Sequence, residues 1–334
     1  MQCLSVLAAF RLVLRKHKVQ REGSMRLGYH WRLRRYSFAI VFTGLTVLCN
    51  PMLVGAEIVQ VSNPPLKIFI SVDMEGISGI GTPKMTNGSG KDYALGRELM
   101  TEDVNAIVSA IFEFGPAEVV VNDSHGDMQN LLHMRLDERV TYIQGHIKPL
   151  GMVQGLDESF DAAIFVGYHA RVGTKDGFLA HTGSGSVRGL WLNDVEVGEG
   201  GMNAHYAGAH GVPVVMVSGD LTFTRQFREL MNTRTVVTKE AVGSLVAQLH
   251  HPAEVHQRLQ ATTREALEAI TNAQPLEVME PVTVRIRFAT TTRADILQSI
   301  PGVSRIDGMT VSYEAQTMTE AYKLIRLMYK FVSW

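Results

Sequence analysis

Six side chains stand out by type and position: Asp73, Glu75, His125, His169, Glu199 and His181. Asp73 and Glu75 directly follow the apolar run Leu66 to Val72. His125 follows a second run, Ala117 to Val121, within Asn122-Asp123-Ser124-His125-Gly126. His169 follows a further run, Asp161 to Tyr168, and Glu199 lies in the turn Gly198-Glu199-Gly200-Gly201. Imidazole and carboxylate together suit zinc or a similar divalent ion. Two ions a few ångströms apart need a shared bridge, which a carboxylate supplies with its two oxygens. Such a pair lowers the pKa of a bridging water and clamps both oxygens of a tetrahedral intermediate. His181, in Ala180-His181-Thr182-Gly183, is 12 residues beyond His169 and is available as an acid or base that is not a ligand.

Taken singly, each residue has a plainer explanation. Asp73 after a strand suits a helix cap or an Asx turn. Glu75 suits a loop charge, His125 a solvated histidine and His169 a satisfied core histidine. The argument rests on their joint occurrence at successive strand ends. The remaining body histidines (His133, His146, His205, His210, His250, His251 and His256) lack that placement and are expected at the surface or in packing.

The elements that must position the six are legible as runs and periods. Leu66 to Val72, Ala117 to Val121, Val140 to Gln144, Asp161 to Tyr168 and Pro213 to Ser218 read as short strands, most of them apolar on both faces. Residues 91–113 carry apolar side chains at helical spacing, and Gly115-Pro116 stops that helix. Residues 190–197 read as an extended pair broken at Asn193-Asp194, 200–211 as a small-residue helix, and 252–272 as a long helix. An alternating strand over 278–289 and a closing helix over 315–331 complete the chain. Strands alternating with helices predict an α/β fold: a mostly parallel central sheet flanked by helices. In such a sheet, ligands gather at the carboxyl ends of the strands. A metal-binding catalytic domain over 57–250 and a smaller α+β part over 251–334 completing the same unit are expected.

The charge is unevenly spread. Residues 1–56 hold nine of the 32 Lys/Arg and one of the 33 Asp/Glu, so the body is mildly acidic. No basic stripe follows Arg35, which argues against nucleic acid as a partner. Arg32, Arg34 and Arg35 precede the uncharged stretch from Tyr36 to Ala56, which ends in Val54-Gly55-Ala56. Basic, apolar and small-residue regions in that order read as a secretory signal, with Met25 as the start that gives an ordinary length. An uncleaved membrane anchor is the alternative. The expected location is therefore outside the cytoplasm, in the periplasm, with any membrane attachment through this segment alone. Cys3 and Cys49, the only cysteines, fall within it. A metal site in the body must then use His and carboxylates.

Several motifs carry a family resemblance. Ser71-Val72-Asp73-Met74-Glu75-Gly76 resembles the Ser-x-Asp-x-Glu-Gly signature of the DppA-type zinc D-aminopeptidases. Val121-Asn122-Asp123-Ser124-His125 and Phe165-Val166-Gly167-Tyr168-His169-Ala170-Arg171 resemble its next two motifs. Arg97 with Met100-Thr101-Glu102, Lys148-Pro149 with Met152 to Asp157, and Val197-Gly198-Glu199 with Asn203-Ala204 match in order and approximate spacing. Several motifs in order over residues 66–330 make a more specific match than one short motif. The resemblance implies a two-zinc site. Asp73 would bridge, Glu75 and His125 would complete one position, and His169 and Glu199 the other. His181 matches the catalytic histidine. It further implies release of N-terminal, D-alanine-like residues from short peptides, and a homo-oligomer such as a decamer. Two segments depart from the family pattern, the spacer between His169 and His181 and the loop 80–90, and both are expected to border the substrate cleft. Two other readings remain beside the aminopeptidase: a periplasmic peptide-binding protein without catalysis, and another metal-dependent hydrolase such as an amidase or phosphoesterase.

Overall fold

The computed structural model describes residues 64–331. The signal or anchor expected over 1–56, the start at Met25, Cys3 and Cys49 lie outside the described residues. The chain runs through β1 (Leu66–Val72), α1 (Tyr93–Phe114), β2 (Ala117–Asp123), β3 (Thr141–Ile143), β4 (Ala162–Tyr168), β5 (Val187–Leu192) and β6 (Val195–Glu196). It continues through α2 (Glu199–Ala209), β7 (Val214–Asp220), α3 (Leu221–Leu230), β8 (Arg234–Gly243), β9 (Val246–Leu249) and α4 (Pro252–Glu268). β10 (Val282–Phe288), α5 (Thr291–Leu297), β11 (Ser304–Arg305), β12 (Thr310–Ala315) and α6 (Met318–Phe331) close it.

Seven strands form one sheet in the order β3-β2-β1-β4-β7-β8-β9. Every pairing in it is parallel except β8 with β9. β1 and β4 are central and almost wholly buried, which is why both read as continuous apolar runs. Side chains alternate across the sheet. Ile68, Ile70 and Val72 pack with Val104, Ile107 and Ile111 of α1 and Val255, Leu259 and Leu267 of α4. Phe69, Phe165 and Tyr168 face the other way, toward Met202 of α2, Phe223 and Phe227 of α3, and Tyr322 and Ile325 of α6.

A second sheet, antiparallel in order β11-β12-β10-β5-β6, packs into that other core. The expected division near residue 250 does not follow this sheet. β5 and β6 come from the middle of the chain and pair onto β10. α4, just after that position, lies on the large sheet instead. The reason is local. Val255, Leu259, Thr263 and Leu267 recur at one-turn spacing and need the apolar face that α1 also covers. Val187, Leu190 and Leu192 of β5 need β10 and α6 to cover them.

Candidate metal and catalytic site

The chain leaves β1 toward β2 on one side and later returns as β4 on the other. The strand order therefore reverses between β1 and β4, and their carboxyl ends open the crevice where open α/β sheets bind ligands. Asp73 follows β1 directly and His169 follows β4 directly. The two loops interlock. The Asp73 amide donates to Val166 O at 2.8 Å and the Gly76 amide to Gly167 O at 2.7 Å. A Cβ on Gly76 would stand 2.0 Å from Tyr168 O, so the Glu-Gly pair needs its glycine for this close approach. Beneath the site, the Ser71 hydroxyl lies 2.6 Å from Tyr168 Oη and 2.7 Å from Ser124 Oγ. Asn203 Nδ2 donates to Tyr168 Oη, and Tyr322 Oη to Asn203 Oδ1. This buried network ties β1, β2, β4, α2 and α6 together under the cluster.

All six residues singled out in the sequence meet here. Asp73 Oδ1 is 3.2 Å from His125 Nδ1, and Asp73 Oδ2 is 3.3 Å from His169 Nε2. Glu75 Oε2 is 3.1 Å from His125 Nδ1. Glu199 Oε2 is 3.5 Å from His169 Nε2, and Glu199 Oε1 is 3.5 Å from His181 Nε2. Glu199 opens α2, where the helix dipole favours a carboxylate, and its Oε1 accepts the Gly183 amide at 2.6 Å. The His169 and His181 rings stack with centroids 4.1 Å apart. Asp73, Glu75, His169 and Glu199 are buried, whereas the His181 side chain is 34% exposed.

The three imidazoles share one arrangement. His125 Nε2 is 2.7 Å from Thr86 O, His169 Nδ1 is 3.0 Å from Ala170 O, and His181 Nδ1 is 2.9 Å from Leu179 O. Each outer nitrogen faces a carbonyl and donates to it. In the neutral ring the inner nitrogen then presents a lone pair to the carboxylates, which is how ligating histidines are oriented. Asp73 Oδ2, Glu75 Oε2 and His169 Nε2 are buried and make no well-formed hydrogen bond. Buried polar atoms are nearly always partnered, so three orphans converging on one point call for a cation. Two sets of atoms lie within 4.8 Å of one another: Asp73, Glu75 and His169, and His169, His181 and Glu199. The donor set fits a divalent metal.

The electrostatics agree. Burial pushes the Asp73 carboxyl up, as does Glu75 beside it, against the pull of His125 and His169. Burial would also raise Glu75, but His125, His181 and His169 outweigh it and hold it well below the usual range. Glu199 is likewise penalised by burial, yet His181, His169 and the Gly183 amide bring it to about 2. Burial alone would lower His125 and His169, but the carboxylates raise both well above 6.5. Acid and base are thus locked against each other, and a cation relieves both sides.

The structure also brings in groups that the sequence did not single out. The Thr86 carbonyl comes from the loop 80–90. Lys239 of β8 is fully buried, and its Nζ donates to the carbonyls of Glu75, Ile77 and Ile80, bracing the Glu75 loop. A cavity of about 100 Å³ adjoins the cluster. Its lining includes Asp73, His125, His181 and Glu199 on one side and Arg326, Tyr329 and Lys330 of α6 on the other. Arg326 and Lys330 are four apart with Tyr329 beside them, which is the spacing of one helix face and the only signal the sequence held for them. The two departing segments were expected to border the cleft. Apart from His181 itself, neither lines this cavity. They act behind the histidines, through the Thr86 and Leu179 carbonyls. His205, the most buried of the other histidines, has Nδ1 2.7 Å from Gly201 O within its own helix and takes no part.

A family model described as D-aminopeptidase matches residues 66–327. A D-aminopeptidase of Bacillus subtilis (strain 168) is 37% identical over 265 residues, 79% of this chain and 96% of that protein. Among solved structures, the "Zn-dependent D-aminopeptidase DppA from Bacillus subtilis, a self-compartmentalizing protease" superposes with a TM-score of 0.78 at 36% identity. That likeness covers 80% of this chain and 98% of the other. Fold, site and these relatives together make the protein a hydrolase of peptide bonds. More narrowly, the chain belongs to the D-aminopeptidase family.

Proposed function

We propose that the protein is a zinc-dependent aminopeptidase that releases N-terminal, D-alanine-like residues from short peptides. The observation that carries this reading is the convergence of the orphaned Asp73 Oδ2, Glu75 Oε2 and His169 Nε2. Asp73 directs its two oxygens at different imidazoles, Oδ1 at His125 and Oδ2 at His169, as a bridge between two positions requires. Glu75 and His125 would hold one ion, and His169 and Glu199 the other. Zinc held there supplies Lewis acidity and an activated water. Binding it requires neutral imidazoles and so releases protons from His125 and His169. A binding protein without catalysis has no use for such a cluster, and chelation would leave it indifferent.

The chain's own residues do the rest. His181 is fixed through Nδ1 on Leu179 O, so Nε2 is the atom that takes or gives a proton. It is partly exposed toward the cavity, unlike His169. Its Nε2 stands 3.5 Å from Glu199 Oε1. We assign it proton transfer to the leaving amine rather than ligation, because its side chain is the most exposed of the three imidazoles and lines the cavity. The α6 wall and the burial of Asp73, Glu75, His169 and Glu199 restrict water to the reacting end.

Two further parts of the proposal concern where and how the chain works. Export rests on the basic and apolar pattern of residues 1–56, and N-terminal sequencing of the mature protein checks it: an intact Met1 or Met25 refutes cleavage. Homo-oligomerisation rests on the relative described as self-compartmentalizing. It also rests on Val242, Leu245 and Val246, which stand largely exposed on the β8–β9 hairpin at the sheet edge. A monomer by sedimentation refutes it.

The deciding experiment is hydrolysis of D-Ala-D-Ala and L-Ala-L-Ala, side by side, with zinc-loaded protein. Chelator-sensitive cleavage of the D-peptide is expected, and His181→Ala should lose about 10²- to 10⁴-fold in turnover while keeping its zinc. No cleavage of either peptide by zinc-loaded protein would overturn the reading.

A further inference from the structure

The α6 side of the cavity carries two cations that face Glu199 across it without forming an ion pair with any carboxylate of the cluster. Arg326 is 6% exposed, and Lys330 is half-buried. Among the described residues, no carboxylate lies within 4.0 Å of either. Arg326 donates to Tyr329 Oη at 2.9 Å and Lys148 O at 3.2 Å, both neutral acceptors, and its buried Nε has no hydrogen-bond partner. Lys330 Nζ has one long contact, 3.4 Å to Gly126 O. Burial lowers its pKa and Arg326 beside it lowers it further, against the weaker pull of Glu199 and Asp127. A buried cation without an ion-pairing anion is costly, and a second cation beside it adds repulsion that an anionic ligand would relieve.

The position is set with care. The Tyr329 ring lies against Gly183, two residues past His181, and a Cβ there would come within 2.8 Å of it. Arg326 likewise occupies the space a side chain at residue 151 would fill, since a Cβ on Gly151 would lie 2.5 Å from its Nε. Glycines at 151 and 183, both at positive φ, therefore let α6 close onto the site. The cavity of about 100 Å³ between α6 and the ligand residues is small beside the roughly 300–1,000 Å³ of drug-sized ligand sites. Consecutive Cα atoms of a peptide are about 3.8 Å apart, so the C-terminal carboxylate of a dipeptide lies within one residue of its scissile carbonyl.

We propose that Lys330, with the Arg326 charge behind it, binds the C-terminal carboxylate of a short peptide. The site then selects dipeptides and similarly short peptides with a free C-terminus. This inference rests on the aminopeptidase reading for the identity of its ligand. Lys330 is the contact because its Nζ is the less engaged and more accessible of the two; Arg326 is held by Tyr329 and Lys148 and contributes field.

The test is calorimetric binding to zinc-loaded protein silenced by His181→Ala, comparing D-Ala-D-Ala with its C-terminal amide. The acid should bind about 10- to 100-fold tighter than the amide, the scale of a charge-assisted hydrogen bond. Adding Lys330→Met should bring that ratio close to one, and Lys330→Arg should keep most of it. Equal affinity for acid and amide, a ratio unchanged by Lys330→Met, or no measurable binding of the acid would each overturn the proposal. Turnover by the unsubstituted protein is scored separately. If it fails while the Lys330-dependent preference persists, the aminopeptidase reading falls and the carboxylate site stands.

Discussion

Asp73 and Asp123 are both buried aspartates at the carboxyl ends of adjacent parallel strands. Their surroundings differ completely. Asp123 accepts from the amides of Asn130 and Leu131, from Asn130 Nδ2 and from Gln144 Nε2. Every lone-pair direction that matters is filled by a neutral donor, and the result is a structural knot that folds the segment after β2. Asp73 accepts one backbone amide, from Met74, and otherwise faces imidazoles with one oxygen unpartnered. Residue type and strand-end position are the same in both. What separates a ligand from a brace is whether the chain itself completes the hydrogen-bonding shell.

The largest effect that can break this contrast is on metal content. Asp73→Ala should lose activity by more than about 10⁴-fold and fall below one zinc per chain, because one bridge serves both positions. Metal analysis of the purified variant checks this. Two zincs retained in it would mean that Asp73 is no bridge.

A smaller effect, of a different kind, is expected at Asp123. Asp123→Asn replaces an acceptor of four donors with a group that is itself half donor, leaving buried N–H groups unpaired. The cost should be about 3 kcal/mol of stability, read by urea denaturation. Its zinc content should stay that of the unsubstituted protein. If Asp123→Asn lost zinc without losing stability, the two aspartates would have to exchange roles.

The sequence showed the strands that carry both residues, because β1, β2, β4 and β7 are apolar runs ending in polar residues. It could not tell Asp73 from Asp123, since the donors to Asp123 arrive from residues 130, 131 and 144. α3 went unread because it follows β7 with no loop: Asp220 ends the strand and also caps the helix, accepting from the Thr222 and Phe223 amides. β8 went unread because Lys239 and Glu240 look like surface charges, whereas Lys239 is buried on three carbonyls. Arg326 and Lys330 went unread within the closing helix for the same reason. Charge in a sequence signals solvent until a tertiary partner reverses it. The residues proposed as ligands were legible as a cluster because histidine and carboxylate at three strand ends form a pattern that does not depend on distant partners.

The smallest expected effect sharpens the structural side of the contrast. Lys148 lies against the Asp123 strand end, donating from Nζ to Asn122 Oδ1 and to the Asp123 carbonyl. Burial brings its pKa from 10.5 down to about 8, with Arg326 nearby adding to the shift and Asp123 opposing it. Between about 8 and 10.5 the unfolded chain therefore holds this proton more tightly than the folded one. Stability should rise with pH across that window, because the unfolded state binds more protons there. Below about 8 both states are protonated and the burial cost is carried in full. Lys148→Met removes the group, so the difference in unfolding free energy between unsubstituted protein and variant should grow by about 2 kcal/mol from pH 7.5 to 9.5. Denaturation at the two pH values measures it. A difference independent of pH would mean that the two acceptors hold the ammonium at its ordinary pKa, and that the Asp123 side carries no stored electrostatic cost.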